Sequence, residues 1–222
     1  MRKILNLNES WQFTGPDGTT KAVHLPHTWN SIDGQDGGND YWRGSCIYRR
    51  ELAMPEFNKD EEQVYLEFQG VNASARVSLN GSPVCTHDGG YSTFRVNVTD
   101  VLTENNLLEV TVDNSVNDRV YPQKADFTFY GGIYRDVNLI VLNRLHFDMD
   151  YYGGSGIQIT PEVKGDTSVV RIRTFANVTE SGNEVKVYVD IEDGDGKKVV
   201  SGIGADCTLL IPKVHLWDGL ND

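Results

Sequence analysis

The chain has 222 residues, with 20 Lys and Arg against 32 Asp and Glu and a formal net charge of -12. Such an acidic surface lacks the cations that neutralise phosphates or hold an anionic bilayer face, so neither a nucleic acid nor a membrane is expected as partner. Cys46, Cys85 and Cys207 are an odd, widely spaced set without a Cys-x-x-Cys pair and read as free thiols of a reducing compartment.

At ~100–200 residues per domain, the length fits two domains. After Met1-Arg2-Lys3 the apolar run from Ile4 is too short and too interrupted for a signal peptide, and no segment approaches the ~18 apolar residues of a membrane span. The expectation is a cytoplasmic protein. No stretch keeps a 3.6-residue apolar period, whereas alternation with a period of two recurs, so the chain reads as all-β.

Residues 15–45 come first and are irregular, dense in Gly, Asp and Asn, with Trp29 and Trp42 among them and Trp11 just before. A loop this long in a compact domain is functional or partner-facing. His24 and His27 could supply two metal ligands, but Leu25-Pro26 between them is not helical and no third His or Cys is near, so loop packing is expected instead. Strands are then predicted over 45–52, 63–68, 75–79, 83–85, 94–98 and 107–112. Asn80-Gly81 joins two of them as a hairpin, because both turn positions call for positive φ. Residues 100–106 read as a short helical turn or a loop.

The run Asp126-Phe127-Thr128-Phe129-Tyr130-Gly131-Gly132-Ile133-Tyr134-Arg135-Asp136-Val137 follows, and a strand over 137–142 leaves it. Its glycine pair lets the backbone turn where a side chain would collide and leaves aromatic faces free to stack. Composition alone fits either a packed corner or a sugar site. In the second case Asp126 and Asp40 are the candidate acids, since a carboxylate in an aromatic-rich loop can accept sugar hydroxyls while a ring covers the apolar face of the pyranose.

Beyond Asn143-Arg144 strands are predicted over 157–163, 169–178, 185–191, 198–200 and 208–211, suggesting an immunoglobulin-like sandwich. That fold uses about seven strands, so the expected domains are 1–143 and 144–222, the second truncated before its last strands. Asp193-Gly194-Asp195-Gly196 resembles the front of a calcium loop but lacks the closing glutamate, and a hairpin turn is expected there. Nothing resembles a nucleophile elbow or a phosphate cradle.

Five motifs in order carry a resemblance. His24-Leu25-Pro26-His27-Thr28-Trp29-Asn30, Tyr48-Arg49-Arg50-Glu51-Leu52, Phe68-Gln69-Gly70-Val71 with Val77-Ser78-Leu79-Asn80-Gly81, Gly89-Gly90-Tyr91-Ser92-Thr93-Phe94 and Gly131-Gly132-Ile133-Tyr134-Arg135-Asp136-Val137 together resemble the N-terminal sugar-binding domain of glycoside hydrolase family 2. Asp40-Tyr41-Trp42-Arg43-Gly44 is similar to its β-galactosidase branch. The resemblance implies a galactose-binding-like jelly roll, then an immunoglobulin-like sandwich, then a (β/α)₈ barrel with the two catalytic glutamates of a retaining enzyme. The barrel lies outside these residues, so this chain is expected to be a non-catalytic, inactive portion of such an enzyme, with no catalytic residue of its own.

The resemblance also implies that Asp126 contacts galactose and helps hold a sodium ion in the complete enzyme, with Asn39 or Asp40 as a second substrate contact. Arg135 and Asp136 are expected to pair structurally. No cofactor is expected in the portion itself. The expected partners are a β-galactoside, the barrel of the same chain and further copies in a homo-oligomer. The alternatives are a free-standing carbohydrate-binding module, or a portion of a β-glucuronidase or β-mannosidase.

Overall fold

A computed structural model of the chain describes residues 2–32, 41–121, 128–177 and 185–219. It divides into two compact units, Met1–Asn143 and Arg144–Asp222. All strand pairings among the described residues are antiparallel. The all-β expectation therefore holds.

The first unit contains β1 (Lys3–Asn6), β2 (Trp11–Thr14), β3 (Thr20–Val23), β4 (Ser45–Ala53), β5 (Glu62–Phe68) and β6 (Val71–Asn72). It continues with β7 (Ser74–Leu79), β8 (Ser82–Asp88), β9 (Phe94–Asn97), β10 (Asn105–Asp113), β11 (Gly132–Ile133) and β12 (Val137–Asn143). They form a four-stranded sheet, β1-β12-β5-β9, and a six-stranded sheet, β3-β2-β4-β10-β7-β8, with the short pair β11-β6 at one end. Alternation explains the layers: Val64, Leu66 and Phe68 of one sheet share a core with Val77 and Leu79 and with Leu108, Val110 and Val112 of the other. Each fully buried leucine or phenylalanine contributes about 1.5–3 kcal/mol. The unit is thus a jelly-roll sandwich.

Asn80 and Gly81 have φ of 54° and 80°, the mirror-image turn that Asn-Gly favours between β7 and β8. The interval 100–106 contains a turn and the start of β10, with no helix. The strands β1, β2 and β3 escape a period-two reading because each is only four residues long and β1 is exposed throughout. The central strands β5 and β12 are buried on both faces, and there Glu67 is held by Arg95 Nε at 2.6 Å and Asn138 Nδ2 at 3.0 Å. Burial alone would raise the Glu67 carboxyl's pKa, but these hydrogen bonds outweigh it and hold the group below its ordinary value.

The second unit contains β13 (His146–Phe147), β14 (Ile157–Lys164), β15 (Thr167–Thr174), β16 (Ala176–Asn177), β17 (Tyr188–Glu192), β18 (Lys198–Ile203) and β19 (Asp206–Pro212). A three-stranded sheet, β14-β15-β19, faces the pair β17-β18, and β13 pairs with β16. Its core is small: Val170, Ile172 and Leu209, with Val189, Ile191 and Val200 packed on them. Asp193 closes the β17-β18 turn as a hairpin, its carboxylate accepting from the Asp195 and Lys197 amides at 3.1 and 2.9 Å. These bonds are those of a turn, not of a calcium loop.

Candidate functional site

The glycine pair organises a corner at one end of the first unit. Gly132 has φ of 138°, and a methyl there would collide with the His27 carbonyl and stand 2.9 Å from the Tyr48 hydroxyl. A methyl on Gly131 would collide with the Trp29 indole. The backbone of residues 131–133 therefore lies directly against residues 27–29. His27 N donates to Ile133 O at 2.8 Å and Thr28 Oγ1 to Gly131 O at 2.8 Å.

Two buried asparagines complete the corner. Asn30, fully buried, donates through Nδ2 to Trp42 O at 2.8 Å and accepts through Oδ1 from Gly131 N at 2.8 Å and Asn114 Nδ2 at 3.2 Å. Asn114 in turn accepts from Gly44 N at 2.9 Å and donates to Phe129 O at 3.3 Å. An amide suits this place because it presents a donor and two acceptor lone pairs to backbone groups that would otherwise be unpaired. In sequence terms, the pair ties together residues on both sides of the interval 33–40 and residues just after the interval 122–127. Asn39, Asp40 and Asp126 fall in those intervals and so lie outside the described residues.

Aromatic rings line the same corner. Trp29 stacks on Phe13 with centroids 6.1 Å apart and meets Trp42 edge to face at 6.0 Å, while Trp42 is 37% exposed. The Arg43 guanidinium lies 4.5 Å from the Tyr41 ring and 6.0 Å from that of Phe129. Beside it a groove of about 430 Å³ is lined by Thr28, Asn72, Tyr91, Thr128, Tyr130 and Tyr134. Tyr134 donates to Gly90 O, and Asn72 Nδ2 to Tyr130 O at 2.8 Å, so the polar groups are used inward and ring faces remain for a ligand. Flat, mostly apolar rings with hydroxyls at their margin suit one face of a pyranose.

The Tyr48 hydroxyl and His27 Nδ1 share a hydrogen bond, 2.7 Å apart. Burial, helped by the Lys21 charge, lowers the His27 pKa to about 4. Burial likewise raises the Cys46 thiol to about 12, which leaves it inert, and none of the three cysteines is in a disulfide. His24 pairs instead with Glu9, so the two histidines serve separate contacts, and the described residues hold no cluster of three or more potential metal ligands.

The expected Arg135–Asp136 pair is not formed. Arg135 sits 5.6 Å from the Tyr134 ring, whereas Asp136 accepts from Asn8 Nδ2 at 2.8 Å. The chain bends at Arg135, between β11 and β12, and the two side chains take separate partners. Asn30 and Asn114 were not singled out by sequence reasoning; the one signal was Asn30 closing the His24-to-Asn30 motif.

Residues 37–138 match the family described as Glycosyl hydrolase 2 galactose-binding domain-like. A β-glucuronidase of Bacteroides fragilis is 32% identical over the whole chain, and a β-galactosidase of Thermoanaerobacterium thermosulfurigenes is 29% identical over 90% of it. Among solved structures, an FMN-binding β-glucuronidase from Facaelibacterium prausnitzii L2-6 superposes with a TM-score of 0.88 at 39% identity over 98% of the chain. A putative β-galactosidase from Bacteroides fragilis gives 0.88 at 29% identity over all of it. The chain spans only 34% and 29% of the two curated relatives and 35% and 37% of the two solved chains. Motif order, sandwich and similarity along the chain agree: it belongs to glycoside hydrolase family 2, and its first unit is the galactose-binding-like domain of that family.

Proposed function

We propose that this chain is the N-terminal, non-catalytic portion of a retaining β-glycosidase, and that its glycine-and-asparagine corner holds loops forming one wall of the sugar pocket. The observation that carries this reading is the superposition at TM-score 0.88 on two such enzymes, of each of which the chain spans little more than a third. The catalytic carboxylate pair belongs to the remainder of the polypeptide. Asp126 is the proposed sugar contact and sodium ligand, with Asn39 and Asp40 as second contacts, in a cytoplasmic homo-oligomer.

Two substrate readings follow from particular observations. The relatives at 32% and 39% identity bear the β-glucuronidase name, which favours a β-glucuronide. The Asp40-to-Gly44 stretch and the galactosidase relative at 29% favour a β-galactoside. Assaying the complete polypeptide on both 4-nitrophenyl glycosides decides between them, with turnover of one exceeding the other by at least about tenfold. The 222 residues alone turn over neither. Hydrolysis by the 222 residues, or failure of the complete polypeptide on both, refutes the proposal. In the complete enzyme Asp126→Ala lowers kcat/KM by about 10–100-fold, the loss of a charge-assisted sugar contact.

A further inference from the structure

We infer that a polar trough on the outer face of the six-stranded sheet, across β4, β10, β7 and β8, binds an extended glycan that carries uronate units. The binding stands on the trough's own residues; only its use, holding the remainder of a polymeric substrate, rests on the proposed function.

The strand register lays polar side chains out as a grid. Ser45, Asp113, Ser74 and Asp88 stand opposite one another in turn across the strands, and Thr111, Arg76 and Thr86 form the next row. Their sequence neighbours Cys46, Val112 and Ala75 belong to the core, so alternation turns the grid away from it. Arg119, from the segment after β10, reaches back to the first row, where its Nε donates to Asp88 Oδ2 at 2.9 Å. The result is a trough of about 580 Å³ lined by both rows and by Arg119.

Some of these groups are already spent. Asp88 also accepts from the Ser74 hydroxyl, and that bond and, after it, Arg119 outweigh burial and hold the carboxyl below its usual range. One oxygen of Asp113 accepts from Ser115 N at 2.7 Å. Among the described residues, no hydrogen bond or ion pair engages the Arg76 guanidinium or the Ser45, Thr86 and Thr111 hydroxyls. In a chain of net charge -12, an arginine without a counter-charge, set between hydroxyls, calls for a ligand with an acid group.

The surroundings select among acidic ligands. An extended peptide needs a sheet edge, whereas the floor here is β4, β10 and β7, each paired on both sides. A nucleic acid or a heavily sulfated glycan would set several negative charges against Asp88 and Asp113 for one unopposed cation. A glycan with a carboxylate on every second sugar avoids both difficulties. Its hydroxyls pair with groups that donate and accept, and its acid forms a two-pronged bond with Arg76. Strands ~4.8 Å apart repeat these groups at close to the length of one sugar unit, so the glycan runs across the strands.

The trough begins at the glycine-and-asparagine corner. Ser45 follows Gly44 and Asp113 precedes Asn114, the two residues joined by the Gly44 amide and Asn114 Oδ1. A polymer lying across the sheet has one end beside the loops of the proposed sugar pocket.

Calorimetric titration of the complete polypeptide and of the 222-residue chain with an unsulfated chondroitin hexasaccharide tests this. Both bind it with a Kd of about a millimolar or below, and bind neutral cellohexaose at least about tenfold more weakly. In the 222-residue chain Arg76→Ala weakens binding by about 10–100-fold and Thr111→Val by about threefold. Ser78→Ala, one row beyond the trough on the same face, leaves binding unchanged. Failure of both proteins to bind at about 10 mM hexasaccharide, equal binding by Arg76→Ala, or equal binding of cellohexaose overturns the inference. So does tighter binding of the sulfated hexasaccharide or of hexaglutamate, which would name a sulfated glycan or an acidic peptide as the occupant. Glycosidase activity is measured on the same complete polypeptide with a 4-nitrophenyl glycoside; its absence refutes the proposed function and leaves the binding result standing.

Discussion

Replacing Asn30 with alanine tests whether the corner is held by its buried amides. The side chain makes three hydrogen bonds, to Trp42 O, Gly131 N and Asn114 Nδ2. Truncation leaves the Trp42 carbonyl and the Gly131 amide without that partner beside a closely packed indole. Each such buried group costs about 1–3 kcal/mol, while the Asn114 amide keeps its bonds to Gly44 and Phe129 and loses little. The expected destabilisation of the first unit is about 3 kcal/mol. At ~2–4 °C per kcal/mol for a unit of this size, the melting temperature falls by about 6–12 °C. Urea unfolding followed by tryptophan fluorescence reads it, since Trp29 and Trp42 flank the site. Asn30→Ala combined with Asn114→Ala should lose less than the sum of the single effects, because the two share a bond. A loss below about 1 kcal/mol for Asn30→Ala, or strict additivity, refutes the view that these amides hold the corner.

Two further outcomes follow from the same geometry. Gly132→Ala sets a methyl against the His27 carbonyl at a φ of 138° that side chains rarely adopt, so a loss of about 4 kcal/mol or insoluble expression is expected, with Gly154→Ala as a mild control. For His27 the unfolded chain takes up a proton near pH 6.5 and the folded chain only near pH 4. Stability is therefore flat above pH 6.5, declines as pH falls from 6.5 to 4, and is flat again below. The unscreened linkage is about 3 kcal/mol, and for a partly exposed ring about 1 kcal/mol remains. His27→Gln keeps a hydrogen-bonding group beside Tyr48 and removes the titration, so its urea midpoint changes less between pH 7 and pH 4.5; an equal change in both proteins refutes the assignment.

The strands of the first sandwich were legible wherever alternation ran for five residues or more, as in Ala75-Val77-Leu79, because one buried face demands it. Four-residue strands such as β2 offer too few alternations to read. The role of the glycine pair was half legible: a turn without Cβ could be read, but not that Trp29 and His27 occupy the space a side chain would need. Asn30 and Asn114 were invisible for a physical reason. Polar residues among Gly and Asp read as solvated, and only tertiary packing turns them into buried bridges. Arg135-Asp136 misled in the opposite sense, since adjacency in sequence suggests a pair, whereas Arg135 lies by the Tyr134 ring and Asp136 accepts from Asn8.

The first strand of the first unit lies beside the last, with Lys3 opposite Val141 and Asn6 opposite Asn138. On the ribosome, at ~5–20 residues per second, β1 emerges roughly 7–30 s before its mate. During that delay β1 has no strand to pair with, so the four-stranded sheet is completed only once β12 has left the ribosome.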